Sequence, residues 1–310
     1  MSDMFFSIAI PAYKAKYLRE AIESCLSQSY QKYEVVIVDD ASPENLSSIV
    51  SDYTDERIRY YRNEKNCGAL NVVDNWNICL SHCSGKYVIC MGDDDILLPN
   101  CLEEYVKIIN QYPGLGVYHG WTQIIDENGN IFDMQEHRPS FESAYSLAWH
   151  RWVYRKRQYI GDFCYDVQKL RSEGGFYKLP LAWASDDISA IRAAVHNGIA
   201  NTQVPVFQYR VNRYTLSKSA NNKWKLDAIL LEIKWYESFF KVRPQNELDL
   251  CYYNLMLADF TTHWEKKKIL YIARDIQKGT MNFFWWYANR KKYGLNRKNI
   301  LQSLKKALFH

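Results

Sequence analysis

Three runs of carboxylates stand where the local sequence pattern changes: Asp39-Asp40, Asp93-Asp94-Asp95 and Asp186-Asp187. Adjacent carboxylates repel one another, and each loses hydration when drawn into a cleft, so a buried cluster needs a positive partner. A divalent cation meets that need: Mg²⁺ or Mn²⁺ takes one or two carboxylates and completes its shell with phosphate oxygens. A partly buried carboxylate can instead act as a general base, because burial lifts its pKa towards neutrality. Capping competes with both roles. An acidic triplet can be a solvated turn ahead of a helix, and Ser185-Asp186-Asp187 has the composition of a helix start.

The elements that must position these groups are legible nearby. Tyr87 to Met91 is a short apolar run with aromatic and β-branched members, a pattern that predicts a strand buried on both faces, and Gly92 ends it. Glu34 to Val38 predicts a second such strand, leading straight into Asp39-Asp40. Phe5 to Ile10 predicts a first strand, ended by Pro11, and Ile58 to Tyr61 another. Helical stripes lie between them at Tyr17 to Ser27, Leu46 to Tyr53 and Gly68 to His82. Strands alternating with helices predict an α/β fold with a mostly parallel sheet and right-handed crossovers. Such sheets bind ligands at the carboxyl ends of their strands, so the three acidic runs could converge on one cleft.

Further along, a helix is expected over Leu102 to Gln111, a strand over Gly116 to His119, and a hairpin turn at Asp126 to Asn130. Gln135 to Ile160 is rich in Trp, Tyr, His and Arg and shows no clean period. Lys169 to Phe176 reads as a helix end terminated by glycine. A helix follows from Ser185 to about Asn197, then a strand over Val204 to Val211, and the remainder reads as helical.

Composition sets outer bounds. The 310 residues suit one large α/β domain with an appendage, or two domains. Tyr (24) and Trp (10) are abundant, which suits stacking on carbohydrate or nucleobase but equally a packed core or a membrane interface. The eight cysteines show no zinc-ligand spacing and are expected to be reduced thiols. No secretory leader and no membrane-length apolar run is apparent, which predicts a cytoplasmic location. The net charge of +4 is divided unevenly: 17 Lys/Arg against 8 Asp/Glu from Asn221 onward, hence −5 over the first 220 residues. Neither GxGxxG nor GxxxxGK[ST] occurs, which argues against dehydrogenases and ATP-driven enzymes.

In order and setting, the segments SIAIPAYKAKYLREAIESCLSQSY, VVIVDDAS, NCG, SGKYVICMGDDDILLPN, EGGF and SDDISAIR resemble the family 2 glycosyltransferases of the GT-A fold, inverting enzymes of the bacterial polysaccharide type. The resemblance runs from about Ser7 to Arg192. It implies a GT-A nucleotide-sugar-binding catalytic domain over 1–220 and a helical, basic, aromatic-rich region over 221–310. Pro11, Tyr13, Asp39, Asp40 and Asp93 would then contact the nucleotide-sugar, with Asp40 at the nucleobase and Asp93 at the ribose or first phosphate. Asp94 would be the ligand of Mn²⁺ or Mg²⁺, with Asp95 a candidate second. Asp186 would be the general base, with Asp187 as the alternative. The implied partners are a nucleotide-sugar donor, expected to be a UDP-sugar, and a glycan or lipid-linked oligosaccharide acceptor in surface polysaccharide biosynthesis.

The sequence also departs from the family pattern. Trp76 stands where the family often has Arg, and Lys65 is a candidate replacement cation. Tyr209-Arg210-Val211-Asn212 ends in Asn where the family often has His, and Ser185 replaces the usual acidic residue before the base. These departures leave open a non-catalytic relative that binds nucleotide-sugar or carbohydrate. In the C-terminal region, Phe283 to Tyr287 followed by Arg290-Lys291-Lys292 matches a segment lying on the inner face of an anionic membrane, or else a packed helical appendage with a solvated basic side. No nucleic-acid-binding motif accompanies the charge, so no nucleic-acid partner is expected.

Overall fold

The computed structural model describes residues 4–212 and 221–309. The chain divides into two compact units, Met1–Lys178 with Ser185–Thr215, and Leu179–Ala184 with Leu216–His310. The division expected after residue 220 falls at the end of 213–220, outside the described residues.

The first unit is built on a curled ten-stranded sheet. Its strands β1 (Phe6–Ala12), β2 (Tyr33–Asp39), β3 (Ile58–Arg62) and β4 (Tyr87–Cys90) are parallel neighbours in the order β3-β2-β1-β4. The crossovers carry α1 (Leu18–Leu26), α2 (Leu46–Val50) and α3 (Val72–His82), as the alternation of periods predicts. Leu18, Ala21, Ile22 and Cys25 form the buried stripe of α1 and join Ile8, Ile10, Val35 and Ile37 in the core. The expected end of β1 at Pro11 is corrected: the strand runs on to Ala12, paired with Asp39. Its pairing with β4 stops at Ala9, so on that side a residue without an N–H interrupts no ladder.

Beyond β4 come β5 (Ile96–Leu97), α4 (Cys101–Gln111), β6 (Val117–Ile125), β7 (Ile131–Met134), β8 (Phe141–Glu142) and α5 (Ala144–Trp152). They are followed by β9 (Phe163–Asp166), α6 (Val167–Ser172), α7 (Ser185–Ala194) and β10 (Ile199–Arg210). The sheet continues β4-β9-β6-β10-β5, with β9 and β5 reversed relative to the other strands of the path. The hairpin between β6 and β7 forms at the expected turn, where Asp126 Oδ1 accepts from Asn128 N (2.8 Å) and Asn130 N (2.9 Å). The sequence shows no sign of β9. It is four residues long, its first three side chains are buried whichever way they point, and its last, Asp166, already caps α6 through Lys169 N at 3.0 Å.

The second unit holds α8 (Asn222–Phe239), α9 (Glu247–Lys278), α10 (Met281–Asn289) and α11 (Arg297–Phe309). Its core gathers Leu226, Ile272, Ile276, Trp286, Tyr293 and Ile300. The aromatic run is split by its helix. Trp286 is wholly buried and donates from Nε1 to Asp275 Oδ2 at 2.8 Å, whereas Phe284 and Met281 are exposed. Among the described residues no helix is long and apolar enough to cross a membrane.

Candidate active site

The acidic loop after β4 folds back over its own glycine. A Cβ on Gly92 would lie 2.9 Å from both Asp94 Oδ1 and Asp95 Oδ2, so these two carboxylates lean together over bare backbone. Asp93 ties the loop to the end of β1, its Oδ2 accepting from the backbone N–H groups of Tyr13 and Lys14 at 2.7 Å each. Burial, reinforced by Asp94, pushes the Asp93 carboxyl up to about 6. Burial also raises Asp94, against the opposing pull of Lys14 and of Asn212, whose Nδ2 donates to Asp94 Oδ2 at 2.6 Å. Asp95, only 3% exposed, is pushed well up by burial and by Asp94 while its Oδ1 accepts from Arg210 N at 2.9 Å.

Arg210 forms the floor under this loop. Its side chain is 1% exposed; Nε donates to the Asp94 carbonyl at 2.8 Å, Nη2 to Glu20 Oε2 at 2.6 Å, and the guanidinium lies 4.2 Å from the Tyr17 ring centroid. A planar donor set of this kind fixes several chain segments at once.

At the end of β2 the two aspartates separate in role. Asp39 is fully buried, with Oδ1 accepting from Ser42 N (2.7 Å) and Oδ2 from Tyr60 Oη (2.7 Å) and Arg62. That set holds the β2–β3 edge. Asp40 instead gathers the following loop: Oδ1 accepts from Asn63 Nδ2 (2.8 Å) and Cys67 N (3.0 Å), and its carbonyl from Asn66 Nδ2 (2.7 Å). The loop beyond borders a cleft of about 640 Å³ lined by Asn63, Lys65, Asn66, Cys67, Asn71 and Asp74. Tyr13 is 42% exposed at the same edge, and its carbonyl accepts from Ser42 Oγ at 2.6 Å; Pro11 is half-buried beside it. Trp76 is buried, edge-on to Phe176 at 5.9 Å, and so belongs to the core rather than to a phosphate site.

The third acidic pair opens α7. Asp187 is gripped by Arg151, whose Nε and Nη2 donate to Oδ1 and Oδ2 at 2.8 Å each, and Gln158 Nε2 adds a bond to Oδ1 at 2.6 Å. Among the described residues, Asp186 accepts one side-chain hydrogen bond, a local one from Asp187 N at 2.9 Å. Burial, and then the neighbouring Asp187, push the Asp186 carboxyl up to about 8. Two adjacent carboxylates thus have different environments, one ion-paired to Arg151 and one lifted chiefly by burial.

Tyr209, one residue before Arg210, lies between the acidic loop and α7. Burial comes first among the influences raising its hydroxyl pKa, and Asp95, Asp94 and Asp186 all act on it as well. Its ring stacks on Tyr159 with centroids 3.6 Å apart. Asp162 sits just beyond, accepting from Tyr159 N (2.6 Å), Thr122 Oγ1 (2.5 Å) and Gln135 Nε2 (2.5 Å), and burial lifts it to about 7. Asp95 and Asp186 both feel the Asp162 charge, so the second and third acidic runs share one neighbourhood.

Sequence reasoning passed over Arg151, Gln158 and Asp162. All three come from the stretch around Gln135 to Ile160 or its edge, where buried polar side chains such as Arg138, Glu142 and Lys156 pair with one another and erase any apolar period. Among the described residues no group of three or more His, Cys, Asp or Glu forms a cage for a metal. The pair over Gly92 does fit a divalent cation of the kind that needs only one or two carboxylates and takes the rest of its shell from phosphate and water.

The fold is that of the GT-A glycosyltransferases. It is shared with Staphylococcus aureus TarS, solved in complex with UDP-GlcNAc (TM-score 0.62, 16% identity, 98% of this chain and 89% of that one). It is shared too with the mannosyltransferase PcManGT of Pyrobaculum calidifontis, solved with GDP-Man and Mn²⁺ (TM-score 0.57, 15% identity, 99% and 87%). In sequence, the chain is 30% identical over 132 residues to the Escherichia coli UDP-Glc:alpha-D-GlcNAc-diphosphoundecaprenol beta-1,3-glucosyltransferase WfgD, covering 42% of this chain and 51% of that protein. It is 36% identical over 129 residues to an uncharacterized glycosyltransferase of Rickettsia felis, covering 40% and 20%. The matches thus span about half or less of these relatives' length. The model of glycosyl transferase family 2 matches residues 7–172, from the first strand through the acidic loop to the end of α6, and the chain belongs to that family.

Proposed function

We propose that this protein is an inverting glycosyltransferase that moves a sugar from a UDP-sugar to a hydroxyl of a lipid-linked glycan acceptor in surface polysaccharide assembly. The observation that carries this reading is the asymmetry of the α7 pair: Arg151 and Gln158 hold Asp187, while Asp186 is lifted to about 8 in the neighbourhood of Asp95 and Asp162. A base that must take a proton from an alcohol near neutral pH works best with a pKa close to that pH.

In the proposed reaction the acceptor oxygen attacks the anomeric carbon from the face opposite the diphosphate. The new C–O bond forms as the old one breaks through an oxocarbenium-like transition state, the nucleoside diphosphate leaves with the electron pair, and the acceptor proton passes to Asp186. Pro11, Tyr13 and Asp40 would frame the base and ribose, and Asp93, already fixed to the end of β1, would set the diphosphate end of the donor site. Asp39 would support Asp40 from below. Asp94 and Asp95 would hold Mn²⁺ or Mg²⁺, which stabilises negative charge on a departing diphosphate when bound. UDP as donor and an undecaprenyl-diphosphate acceptor are supported by the likeness to WfgD, whose name specifies both. A peripheral position on the inner face of the membrane would bring the enzyme to such an acceptor.

The test is UDP release from a panel of UDP-sugars, with and without Mn²⁺, using GlcNAc-diphosphoundecaprenol as acceptor. Acceptor-dependent UDP release that disappears in Asp186→Asn supports the reading. Undiminished release in that variant removes Asp186 from the role of base.

A further inference from the structure

Beyond Asp275 the chain carries Lys278, Arg290-Lys291-Lys292, Arg297-Lys298 and Lys305-Lys306, and not one Asp or Glu. Among the described residues of that stretch Lys292 alone is ion-paired, to Asp227 at 2.8 Å. Cations left this close together repel one another, and a partner that supplies many negative charges stabilises them. Free counterions would serve a basic face that is polar throughout. This one is not: Met281, Phe284, Leu301, Leu308 and Phe309 are each more than half exposed.

Spacing orders these side chains. Along α10 the exposed residues are Met281, Phe284 and Ala288, a line on the side opposite the buried Trp286 that leads to Lys291 in the turn after the helix. On α11 the inner side buries Ile300 and Ser303, while Leu301 and Leu308 lie two turns apart on the outer side, beside Lys298 and Lys305 at the same interval. Both helices belong to one compact unit and share one core, with Trp286 of α10 and Ile300 of α11 packed among Ile272, Ile276 and Tyr293. We infer that the outer sides of α10 and α11 form a docking surface for a bilayer containing anionic lipid. The ammonium groups meet lipid phosphates there, and the apolar side chains enter the boundary between headgroups and acyl chains. A second copy of the chain would set one uncompensated basic face against another, and a nucleic acid would offer the exposed Met and Leu side chains no apolar surface to enter. The inference rests on the proposed peripheral membrane position and deepens it by naming the surface and the kind of lipid.

Flotation of the full chain with vesicles tests this without turnover. Binding is expected to vesicles of phosphatidylglycerol and phosphatidylcholine in equal parts, and little to phosphatidylcholine alone. Each basic residue near an anionic surface adds about fivefold to binding, so Lys291→Gln, Lys298→Gln and Lys305→Gln together should weaken it by about a hundredfold. Phe284→Ser with Leu308→Ser should remove the part of the binding that survives high salt, because apolar insertion is not screened. All five positions are exposed, so both variants should melt as the parent does. No binding to the anionic vesicles, or binding that neither variant weakens, overturns the inference. So does self-association in sedimentation velocity that Phe284→Ser with Leu308→Ser abolishes while vesicles go unbound, or binding to RNA in place of vesicles. UDP release separates the surface from the enzymatic reading. With a water-soluble, short-chain GlcNAc-diphosphate acceptor the triple Lys variant should keep the parental kcat, whereas with GlcNAc-diphosphoundecaprenol in vesicles its acceptor KM should rise as binding is lost. Vesicle binding without UDP release from either acceptor sinks the enzymatic reading and leaves the docking surface standing.

Discussion

Arg151 closes on both oxygens of Asp187 at 2.8 Å each, and in doing so distinguishes two aspartates that the sequence presents as equals. Arg151 and Gln158 occupy both oxygens of Asp187, whereas the Asp186 carboxyl, which accepts from Asp187 N, is lifted by burial and by Asp187 to about 8. Asp186→Asn is therefore expected to lower kcat by about two to four orders of magnitude, the usual contribution of a general base. Asp187→Asn keeps the side-chain shape but weakens the grip of Arg151, and should cost about tenfold or less by disturbing the start of α7. Steady-state kinetics of the two variants check the order, and a reversed order reassigns the base.

The raised Asp186 carboxyl also has a signature in stability. A fold that favours the protonated acid loses stability as pH rises above the unfolded value and on through the folded one, here from about 4 towards 8. Thermal melting of the parent should thus decline across that window, with Asp93 and Asp162, lifted to about 6 and about 7, adding to the slope. Asp186→Asn should flatten the upper part of the curve and melt higher than the parent at pH 8. The rate should run the other way, with kcat rising on a limb centred near 8 as the base ionises.

Gly92 is where the acidic loop is most sensitive. Adding a methyl group there brings a carbon to 2.9 Å from Asp94 Oδ1 and Asp95 Oδ2 at once, so at least one carboxylate must leave. Gly92→Ala should weaken Mn²⁺-dependent UDP binding by about tenfold to a hundredfold, the range seen when the support around a metal site is disturbed. Melting without metal should fall as well, because Asp95 is buried and bonded to Arg210 N, so the telling quantity is the ratio of UDP binding with and without Mn²⁺. Calorimetric titration of UDP with and without Mn²⁺ measures this, and equal binding in the parent and Gly92→Ala would place the cation elsewhere.

Much of this arrangement was written locally. β1, β2 and β4 are buried runs, and their alternation with helices predicts the acidic runs after β2 and β4 at the same end of a parallel sheet. What stayed hidden depends on long-range pairing. β9 reverses direction between β4 and β6, carrying Asp162 to the end of β4, yet Phe163 to Asp166 has neither the length nor the alternation of a readable strand. Arg138 and Lys156 blurred the region before it because both pair with the Glu142 carboxylate inside the fold, leaving a polar sequence with a buried address. The aromatic run at 283–287 is divided in a way its composition does not show: Trp286 spends its indole on Asp275 within the helical core, whereas Phe284 is exposed.

Arg210 offers a last check on how the acidic loop is held. The backbone amide of this residue serves Asp95, its Nε serves the Asp94 carbonyl, and its Nη2 reaches Glu20 on α1, so one side chain spans β10, the loop and a helix. Arg210→Met keeps the amide and much of the volume but leaves the Asp94 carbonyl without its charged donor and removes the cation from Tyr17. Stability should fall by about 2–4 kcal/mol, the scale for breaking a buried charged hydrogen-bond set, seen as a lower urea midpoint with an unchanged slope. Arg210→Lys should restore less than half of that, since an ammonium presents no planar fork to reach three segments together. Because Glu20 is half-exposed, Glu20→Gln should cost under about 1 kcal/mol, which assigns the larger loss to the Asp94 carbonyl and the ring beneath it.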